Sequence, residues 1–385
     1  MLSESPHRSL FPSASRRIHL DHAGVAPISQ RVVEAIERFA HESAETLADR
    51  YPYWNARAEV VRAACARLAG ASSRQVAFVK NTSEALSFVA GGLDWRAGDI
   101  VVTVDQEFPS NVYPWRALDR LGVETRALSP EAIARDPEAV RAALAGRVRA
   151  LALSAVAYAT GDRPPLADIA ALCREQDVLV VVDAIQALGA VDVSLSRDGL
   201  DCVAADGHKW ICAPEGTGFM AVSDRLLDRL RPIELGWKSV LQPDRYYPYE
   251  FHVRHDAAKL EAGSLNLLGV HALGAAVDLA LEVGVAKIED RLANLTGELE
   301  EGLRSRGREL LGERGRDARI GRSVSGIVCF RPQGTPERVR QELWARGVVC
   351  KVRLGGLRVA PHHYQDGRDV EAFFERLDEA EDAVR

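Results

Sequence analysis

Short apolar runs recur along the first two thirds of the chain and carry its clearest structural signal. Each run is four to six residues long and is bounded by polar residues or turn formers. Helical patterns such as 83–93 and 165–176 lie between several of the runs. Bounded apolar runs that alternate with helices predict a doubly wound, mainly parallel α/β sheet. The seven strand candidates are 76–79, 100–104, 123–127, 149–154, 178–182, 202–205 and 218–222.

The last third of the chain has a different pattern. Residues 225–262 are irregular, and a long helical pattern then begins at Gly269 and runs past Leu303. Short strand-like segments and a closing helix from about Arg368 follow it. A length of 385 residues suits one large and one small domain. We predict a large domain over 18–262, a small α+β domain over 263–385, and an N-terminal arm formed by residues 1–17.

Composition narrows the class of protein. Apolar residues make up 47% and charged residues 27% of the chain, as in ordinary globular proteins. The net charge is −6 and there is no basic block, which argues against a nucleic-acid partner. Six scattered cysteines favour reduced thiols, and the absence of a long apolar run argues against a membrane span. These features predict a cytoplasmic protein without a metal site.

An acid and a lysine stand at the ends of two successive apolar runs. Asp183 ends the run 178–182, and Lys209 follows the run 202–205. Ligands of parallel sheets gather at the carboxyl ends of the strands, so both side chains are expected to face one crevice. Pyridoxal 5′-phosphate requires this pair. The lysine amine forms a Schiff base with the cofactor, and the carboxylate keeps the pyridine nitrogen protonated so that the ring acts as an electron sink.

The stretch VVVDAIQALGAVDVSLSRDGLDCVAADGHKWICAPEGTGFMAV carries a family resemblance. It resembles the class V aminotransferase family of pyridoxal-phosphate enzymes, which includes cysteine desulfurases, selenocysteine lyase, kynureninase and isopenicillin N epimerase. The resemblance extends from about Asp21 to about Tyr364, with the motifs in the family's order. It implies an aminotransferase-like fold (fold type I) with a seven-stranded sheet, and pyridoxal 5′-phosphate as the cofactor.

The phosphate end of the expected site follows the first run. Thr82 and Ser83 stand near a helix N-terminus, where free N–H groups favour an anion; a plain helix cap is the alternative. His208 matches a phosphate ligand of the family, whereas Asp206 would repel a phosphate and is assigned no direct contact. The segment EAGSLN resembles one that crosses the family's dimer interface, which implies that Ser264 contacts the partner's phosphate in a homodimer with shared sites.

Other candidates surround the ring and the substrate. The resemblance implies that Phe108 stacks on the pyridine, while Gln186 can reach the phenolic oxygen. Tyr158 follows the run 149–154 and is expected to face cofactor or substrate. In GGLRVAPHHYQ, Arg358 matches the family's arginine for the amino-acid carboxylate, and the guanidinium fork suits that role. Arg353 is a competitor. We expect His362 and His363 to lie behind the residues that contact the ligands or to be exposed at the surface.

The reaction is less constrained than the cofactor. Desulfurases carry a loop cysteine between two arginines, but here only Leu-Gly-Gly-Leu separates Arg353 from Arg358, and Cys350 precedes both. Persulfide-forming desulfurase activity is therefore disfavoured. The leading interpretation is a class V aminotransferase acting on an amino acid; a C–S or other lyase and an epimerase remain alternatives. A non-catalytic ligand-binding relative is disfavoured by the intact Asp183 and Lys209. A dehydrogenase is disfavoured because no G-x-G-x-x-G follows an early run.

Overall fold

The computed structural model describes residues 4–312 and 325–385. Its largest sheet is formed by seven strands in the order β2-β8-β7-β6-β5-β3-β4, and all neighbours are parallel except those of β8. The strands of the described residues are β1 (Ile18–His19), β2 (Val76–Val79), β3 (Ile100–Val104), β4 (Glu124–Leu128), β5 (Val148–Ser154), β6 (Leu179–Asp183), β7 (Cys202–Asp206), β8 (Gly218–Val222), β9 (Val328–Phe330), β10 (Val348–Val349), β11 (Lys351–Arg353) and β12 (Gly356–Val359).

Helices cover the faces of the sheet. Those in the described residues are α1 (Gln30–Thr46), α2 (Tyr51–Leu68), α3 (Thr82–Gly92), α4 (Tyr113–Arg116), α5 (Pro130–Arg135), α6 (Pro137–Ala143), α7 (Leu166–Glu175), α8 (Asp224–Leu227), α9 (Leu267–Val283), α10 (Val285–Ser305), α11 (Pro336–Ala345) and α12 (Gly367–Val384). The predicted seven-stranded, mainly parallel sheet is confirmed, and each run agrees with its strand to within one residue at either end.

The central strands are continuous apolar runs because both of their faces are covered. Every residue of β6, β7 and β8 is buried. Alternate side chains of these strands enter two separate hydrophobic cores, one under α2 and α9 and one under α3 and α8. Parallel sheets need this two-sided cover, since their crossover helices lie on both faces.

A third hydrophobic core lies between the small sheet β11-β12-β9 and the helices α10, α11 and α12. The N-terminal segment joins this part of the molecule, because β1 pairs with β10 and Asp21 forms a bridge with Ala360. Helix α9 lies beyond residue 262, yet its buried face packs in the core of the large sheet. The predicted division at 262/263 stays a prediction, and the core of the large sheet extends past it.

The long helical pattern predicted from Gly269 past Leu303 is confirmed, and it consists of two helices, α9 and α10. Gly284 ends α9 with φ +88°, a conformation that favours glycine, and α10 continues at an angle of 77°. Among the described residues, no single helix is long and apolar enough to cross a membrane; the bent pair α9 and α10 meets that test only when taken together.

Candidate active site

A cavity of about 380 Å³ lies where the carboxyl ends of β2, β3, β5, β6 and β7 meet the small sheet. Residues that follow each of these strands line it, together with residues of β11 and β12. Eight of the ten residues predicted from the sequence lie in its wall: Thr82, Ser83, Phe108, Tyr158, Gln186, His208, Lys209 and Arg358. The fold therefore brings together side chains that are more than 270 positions apart in sequence (82 to 358).

Lys209 lines this cavity, and Asp183 lies close enough for the two charges to interact, although Asp183 is not itself part of the cavity wall. Asp183 ends β6 and is 2% exposed, and its Oδ1 accepts a hydrogen bond from the Ile185 N–H at 3.0 Å. Burial raises the pKa of Asp183, while the Lys209 charge opposes that shift. Burial also lowers the pKa of Lys209 to about 8, against the opposing charge of Asp183. A large fraction of the Lys209 amine is therefore neutral, and nucleophilic, slightly above neutral pH.

The N-terminus of α3 opens into the cavity. Asn81 caps this helix, because its Oδ1 accepts a hydrogen bond from the Glu84 N–H at 2.9 Å. The cap that the sequence allowed for Thr82 or Ser83 is thus supplied by Asn81. Thr82 Oγ1 instead accepts a hydrogen bond from the Asp206 N–H at 3.1 Å, which fixes α3 against the end of β7. Free N–H groups at such a helix end favour an anion.

His208 also lines the cavity, and its imidazole lies beside an acid. Its Nδ1 lies 3.0 Å from Asp206 Oδ2, and Asp206 Oδ1 accepts a hydrogen bond from the Gly207 N–H at 2.7 Å. Asp206 lines the cavity as well. From the sequence, Asp206 was expected to make no contact with a phosphate; in the structure its carboxylate lies beside the His208 imidazole.

Gln186 and the aromatic pair Phe108 and Tyr158 also line the cavity. The Gln186 Nε2 donates to the Ala23 carbonyl at 2.9 Å, and its Oε1 accepts from the Trp210 indole at 2.8 Å, so one amide hydrogen is left for the cavity. The rings of Phe108 and Tyr158 meet edge to face at 5.3 Å. Lys209 Nζ lies 5.5 Å from the centre of the Phe108 ring.

Two arginines, Arg353 of β11 and Arg358 of β12, line the cavity as well. Arg358 is 1% exposed; its Nη2 donates to Asp21 Oδ1 at 2.8 Å and its Nη1 to the Tyr158 carbonyl at 2.7 Å. Arg353 is half-buried and donates through Nη1 to the Val352 carbonyl at 2.9 Å. The Nε atom of each arginine is buried and has no hydrogen-bond partner among the described residues. Two unsatisfied cationic donors beside one cavity favour an anionic ligand there.

Comparison with known proteins decides the family. A family model described as aminotransferase class-V matches residues 18–365. The chain belongs to the class V aminotransferase family.

Other class V proteins match over most of their length. A probable cysteine desulfurase of Methanothermobacter thermautotrophicus is 30% identical, over 98% of both chains. Isopenicillin N epimerase of Streptomyces clavuligerus is 28% identical, over 94% of both. Among solved structures, a C-DES mutant with glycine covalently linked to its PLP cofactor superposes with a TM-score of 0.89 at 22% identity, covering 97% of this chain and 99% of that one. The cysteine desulfurase of Thermococcus onnurineus gives 0.87 at 23% identity, covering 100% and 99%. These structures share the fold.

Pyridoxal 5′-phosphate is the cofactor of class V enzymes, so the predicted family, fold and cofactor are confirmed. The cavity fits this group. It offers a buried lysine of lowered pKa, a helix N-terminus with a histidine beside it, and two apolar side chains, Phe108 and Ile185, in its wall. Ile185 was not singled out from the sequence. Its place between Asp183 and Gln186 is the signal that would have found it.

Two of the ten predicted site residues, Asp183 and Ser264, are not part of the cavity wall. His362 and His363 were expected to lie behind the residues that contact the ligands or to be exposed. They are 1% and 4% exposed, and the Nε2 of His362 lies 2.9 Å from the Trp210 carbonyl, so they lie behind the site and not at the surface. Ser264 is exposed and is not part of the cavity wall of the single chain. Its role toward a partner subunit stays a prediction.

No thiol reaches the cavity within the described residues. All six cysteines are buried, and none of them is in its wall. Cys350 is 4% exposed, and burial raises its pKa to about 12. A thiol of that kind is almost wholly protonated at neutral pH and is a poor nucleophile. In residues 4–312 and 325–385, no group of three or more potential ligands is arranged for a metal ion.

Proposed function

We propose that this chain is a pyridoxal-phosphate enzyme that acts on an α-amino acid and moves its Cα proton with Lys209. One observation carries the proposal: a buried lysine with a pKa of about 8 shares a cavity with two arginines whose Nε atoms lack partners. The cofactor, when bound, supplies the electron sink that makes the Cα proton acidic. The amine of Lys209 is both the attachment point and the group that takes and returns this proton.

The residues that would hold the cofactor divide into two groups. Thr82, Ser83 and His208 would bind the phosphate, since the N-terminus of α3 and the imidazole lie at one end of the cavity. Asp183, at the end of β6, would keep the ring nitrogen protonated, and Gln186 would donate its spare hydrogen to the phenolic oxygen. Phe108 would stack on the ring, because it lies in the wall near Lys209 Nζ.

Arg358 and Arg353 would bind the substrate carboxylate together. Arg358 is already oriented by Asp21 and the Tyr158 carbonyl, which leaves its Nε for an incoming anion. Arg353 presents a second free Nε from the neighbouring strand β11. Tyr158 contributes its ring to the wall between Phe108 and these arginines and is proposed to contact the substrate.

The shared step is tested by hydrogen exchange. The holoenzyme is incubated in deuterium oxide with a panel of amino acids, and deuterium at Cα is measured by mass spectrometry. We expect exchange in the wild type and none in Lys209→Ala. Lys351→Ala removes the other lysine of the cavity wall and is the control. We expect this variant to keep the cofactor attached. Borohydride-stable cofactor on Lys209→Ala, fixed to another lysine, would contradict the assignment.

Transamination is the reaction that we propose for this step. Lys209 would return the proton to the cofactor rather than to the substrate, and the amino group would stay on the enzyme until a keto acid removes it. A single turnover without keto acid should then yield one equivalent of 2-oxo acid per site, and further turnover should require added keto acid. The measurement is keto-acid release with and without a second keto acid.

Elimination from a sulfur-bearing amino acid is the second candidate. Relatives 30% and 32% identical are named probable cysteine desulfurase and cysteine desulfurase, while no cysteine lines this cavity. A lyase of this kind would release ammonia, pyruvate and the sulfur fragment without a thiol nucleophile and without a keto acid. Cys350→Ser should leave either reaction largely unchanged. Sulfide release from cysteine that disappears in Cys350→Ser would favour a persulfide mechanism instead.

We also propose that the chain acts as a cytoplasmic homodimer with shared sites. Ser264 is exposed in the loop before α9, and neighbouring residues of the segment 233–251 expose large apolar side chains. Tyr247 and Tyr249, at 82% and 91%, are the most exposed of them. Apolar surface of this kind is typical of association sites.

A further inference from the structure

The loop after β3 adopts a strained turn at Gln106. Its φ of +64° lies in the left-handed region, which is uncommon for a residue with a side chain. The turn carries the chain so that Phe108 enters the wall of the cofactor cavity while Glu107 points to the end of β5. Strained backbone of this kind persists where the surrounding contacts fix it.

The contacts that fix the loop are made by the Glu107 carboxylate. It accepts hydrogen bonds from both the backbone N–H of Ser154, at 2.6 Å, and the Ser154 hydroxyl. Ser154 is the last residue of β5 and stands in register with Asp183 at the end of β6. The next residue, Ala155, donates its N–H to the Asp183 carbonyl at 2.9 Å. Two carboxylates are therefore held at the ends of neighbouring strands.

The surroundings of Glu107 bring its pKa close to neutral pH. Burial raises its pKa to about 7 against the opposing hydrogen bonds of Ser154, and the negative charge of Asp183 raises it further. Glu107 also borders two cavities, of about 460 and 420 Å³, that give its proton a path to solvent. The charged side chains in the walls of these two cavities are Asp105, Arg116, Asp119, Glu131 and Asp162.

We propose that Glu107 is a positioning residue of this active site, which, from its place beside Asp183, exchanges a proton with solvent and so sets the charge at the ring-nitrogen end of the cavity. The inference rests on the proposed function only in taking Asp183 as the partner of the ring nitrogen. A protonated ring nitrogen compensates the charge of Asp183, and this removes one cause of the protonation of Glu107. Glu107 then loses its proton to water as the cofactor binds.

The test is the number of protons released on cofactor binding. The full chain, stripped of cofactor, is titrated with pyridoxal 5′-phosphate by calorimetry at pH 7 in two buffers of different ionisation enthalpy. A downward pKa shift of about one unit at a group that is half ionised releases about 0.4 proton. Glu107→Gln keeps an acceptor and a donor for Ser154, so we expect it to bind the cofactor while releasing about 0.4 proton fewer than the wild type. Glu131→Gln removes an acid from the same outer cavity and should match the wild type.

Ser154→Ala gives an independent reading if Glu107→Gln binds cofactor poorly. The hydroxyl of Ser154 lowers the pKa of Glu107, so its removal should move the pH of maximal proton release upward. The pH profile of kcat should show an inflection that moves in the same direction and is absent from Glu107→Gln. A structural role alone would not move either profile.

Equal proton release in the wild type and Glu107→Gln, or an unmoved profile in Ser154→Ala, would overturn the inference. The proposed function fails separately, through the absence of Cα exchange in the wild type. Proton linkage without Cα exchange would therefore retain Glu107 and reject the proposed reaction.

Discussion

Asp21 and Arg358 form a buried ion pair between residues 337 positions apart, with Oδ1 and Nη2 at 2.8 Å. Both side chains are less than 10% exposed. The pair connects the N-terminal segment to the strand β12 of the small sheet, and it leaves one face of the guanidinium toward the cavity. Asp21 therefore orients the arginine that is proposed to bind the substrate carboxylate.

The first prediction concerns this pair. Asp21→Asn should raise KM for the amino acid by about tenfold or more, with a smaller change in kcat. Arg358 loses the charged partner that orients it, whereas the residues proposed to bind the cofactor are unchanged. Leaving a buried charge without its partner also costs about 3–5 kcal/mol of unfolding free energy. Steady-state kinetics and urea unfolding are the measurements.

A matched control separates position from charge. Asp278→Asn removes the same charge from an exposed pair with Arg57 at 3.3 Å, and it should cost less than about 1 kcal/mol and leave KM unchanged. Unchanged KM in Asp21→Asn would remove Asp21 from the site. Arg353 would then become the principal carboxylate ligand, and Arg353→Ala should show the larger effect on KM.

The second prediction follows from the lowered pKa of Lys209. Only the neutral amine attacks the aldehyde of the cofactor, so the rate of attachment to the stripped protein should rise with pH and level off above about 8. Asp183 raises the pKa of Lys209, so Asp183→Asn should move the inflection to lower pH. Rapid-mixing absorbance at a series of pH values measures both. An inflection near the 10.4 of a free lysine would contradict the buried, desolvated amine.

Much of the large sheet was predictable because its strands are buried on both faces. Runs such as Val178–Val182 are apolar throughout, and polar residues begin where the crossover leaves the sheet. The same pattern located Asp183 and Lys209, since the carboxyl ends of neighbouring parallel strands meet at one edge. Local sequence was enough for these features.

Contacts between distant segments were not predictable in this way. The pairing of Asp21 with Arg358 and the burial of Glu107 depend on how separate loops pack, and no local pattern encodes them. His362 and His363 form a polar dipeptide that is typical of a surface, yet the backbone carbonyl of Trp210 satisfies His362 inside the protein. The break at Gly284 was missed because apolar spacing continues through it.

The third prediction tests whether two subunits share each site. Suppose that Ser264 of one subunit completes the active site that contains Lys209 of the other subunit. A mixture of Lys209→Ala and Ser264→Ala chains then contains mixed dimers with one fully intact site. Random assortment of the two chains would restore about a quarter of the sites. Lysine-bound cofactor absorbance and activity should rise when the two variants are unfolded together and refolded.

The unmixed variants provide the control, since neither should gain activity on the same treatment. A protein that sediments as a monomer with full activity would reject the shared site. If the Ser264→Ala variant alone regained lysine-bound cofactor and activity after refolding, the exposed serine would contribute nothing to cofactor retention.

The fourth prediction uses the buried histidines as reporters of acid stability. Burial lowers the pKa of His362 to about 4, and the pKa values of His22 and His363 are also lowered by burial. An unfolded histidine titrates near 6.5, so below that pH the unfolded chain binds more protons than the folded one. The stability that neutral His362 contributes is present above pH 6.5 and is lost as the pH falls toward 4. Over this window the loss is on the order of 3 kcal/mol for His362 alone.

His362→Gln isolates this residue, since a glutamine amide can still donate to the Trp210 carbonyl but does not titrate. Its unfolding free energy should fall less steeply than that of the wild type between pH 6.5 and 4, by up to about 1.4 kcal/mol per pH unit. His22 and His363 would supply the slope that remains. Urea unfolding at a series of pH values measures these slopes, and equal slopes for His362→Gln and the wild type would mean that His362 titrates alike in the folded and unfolded chain.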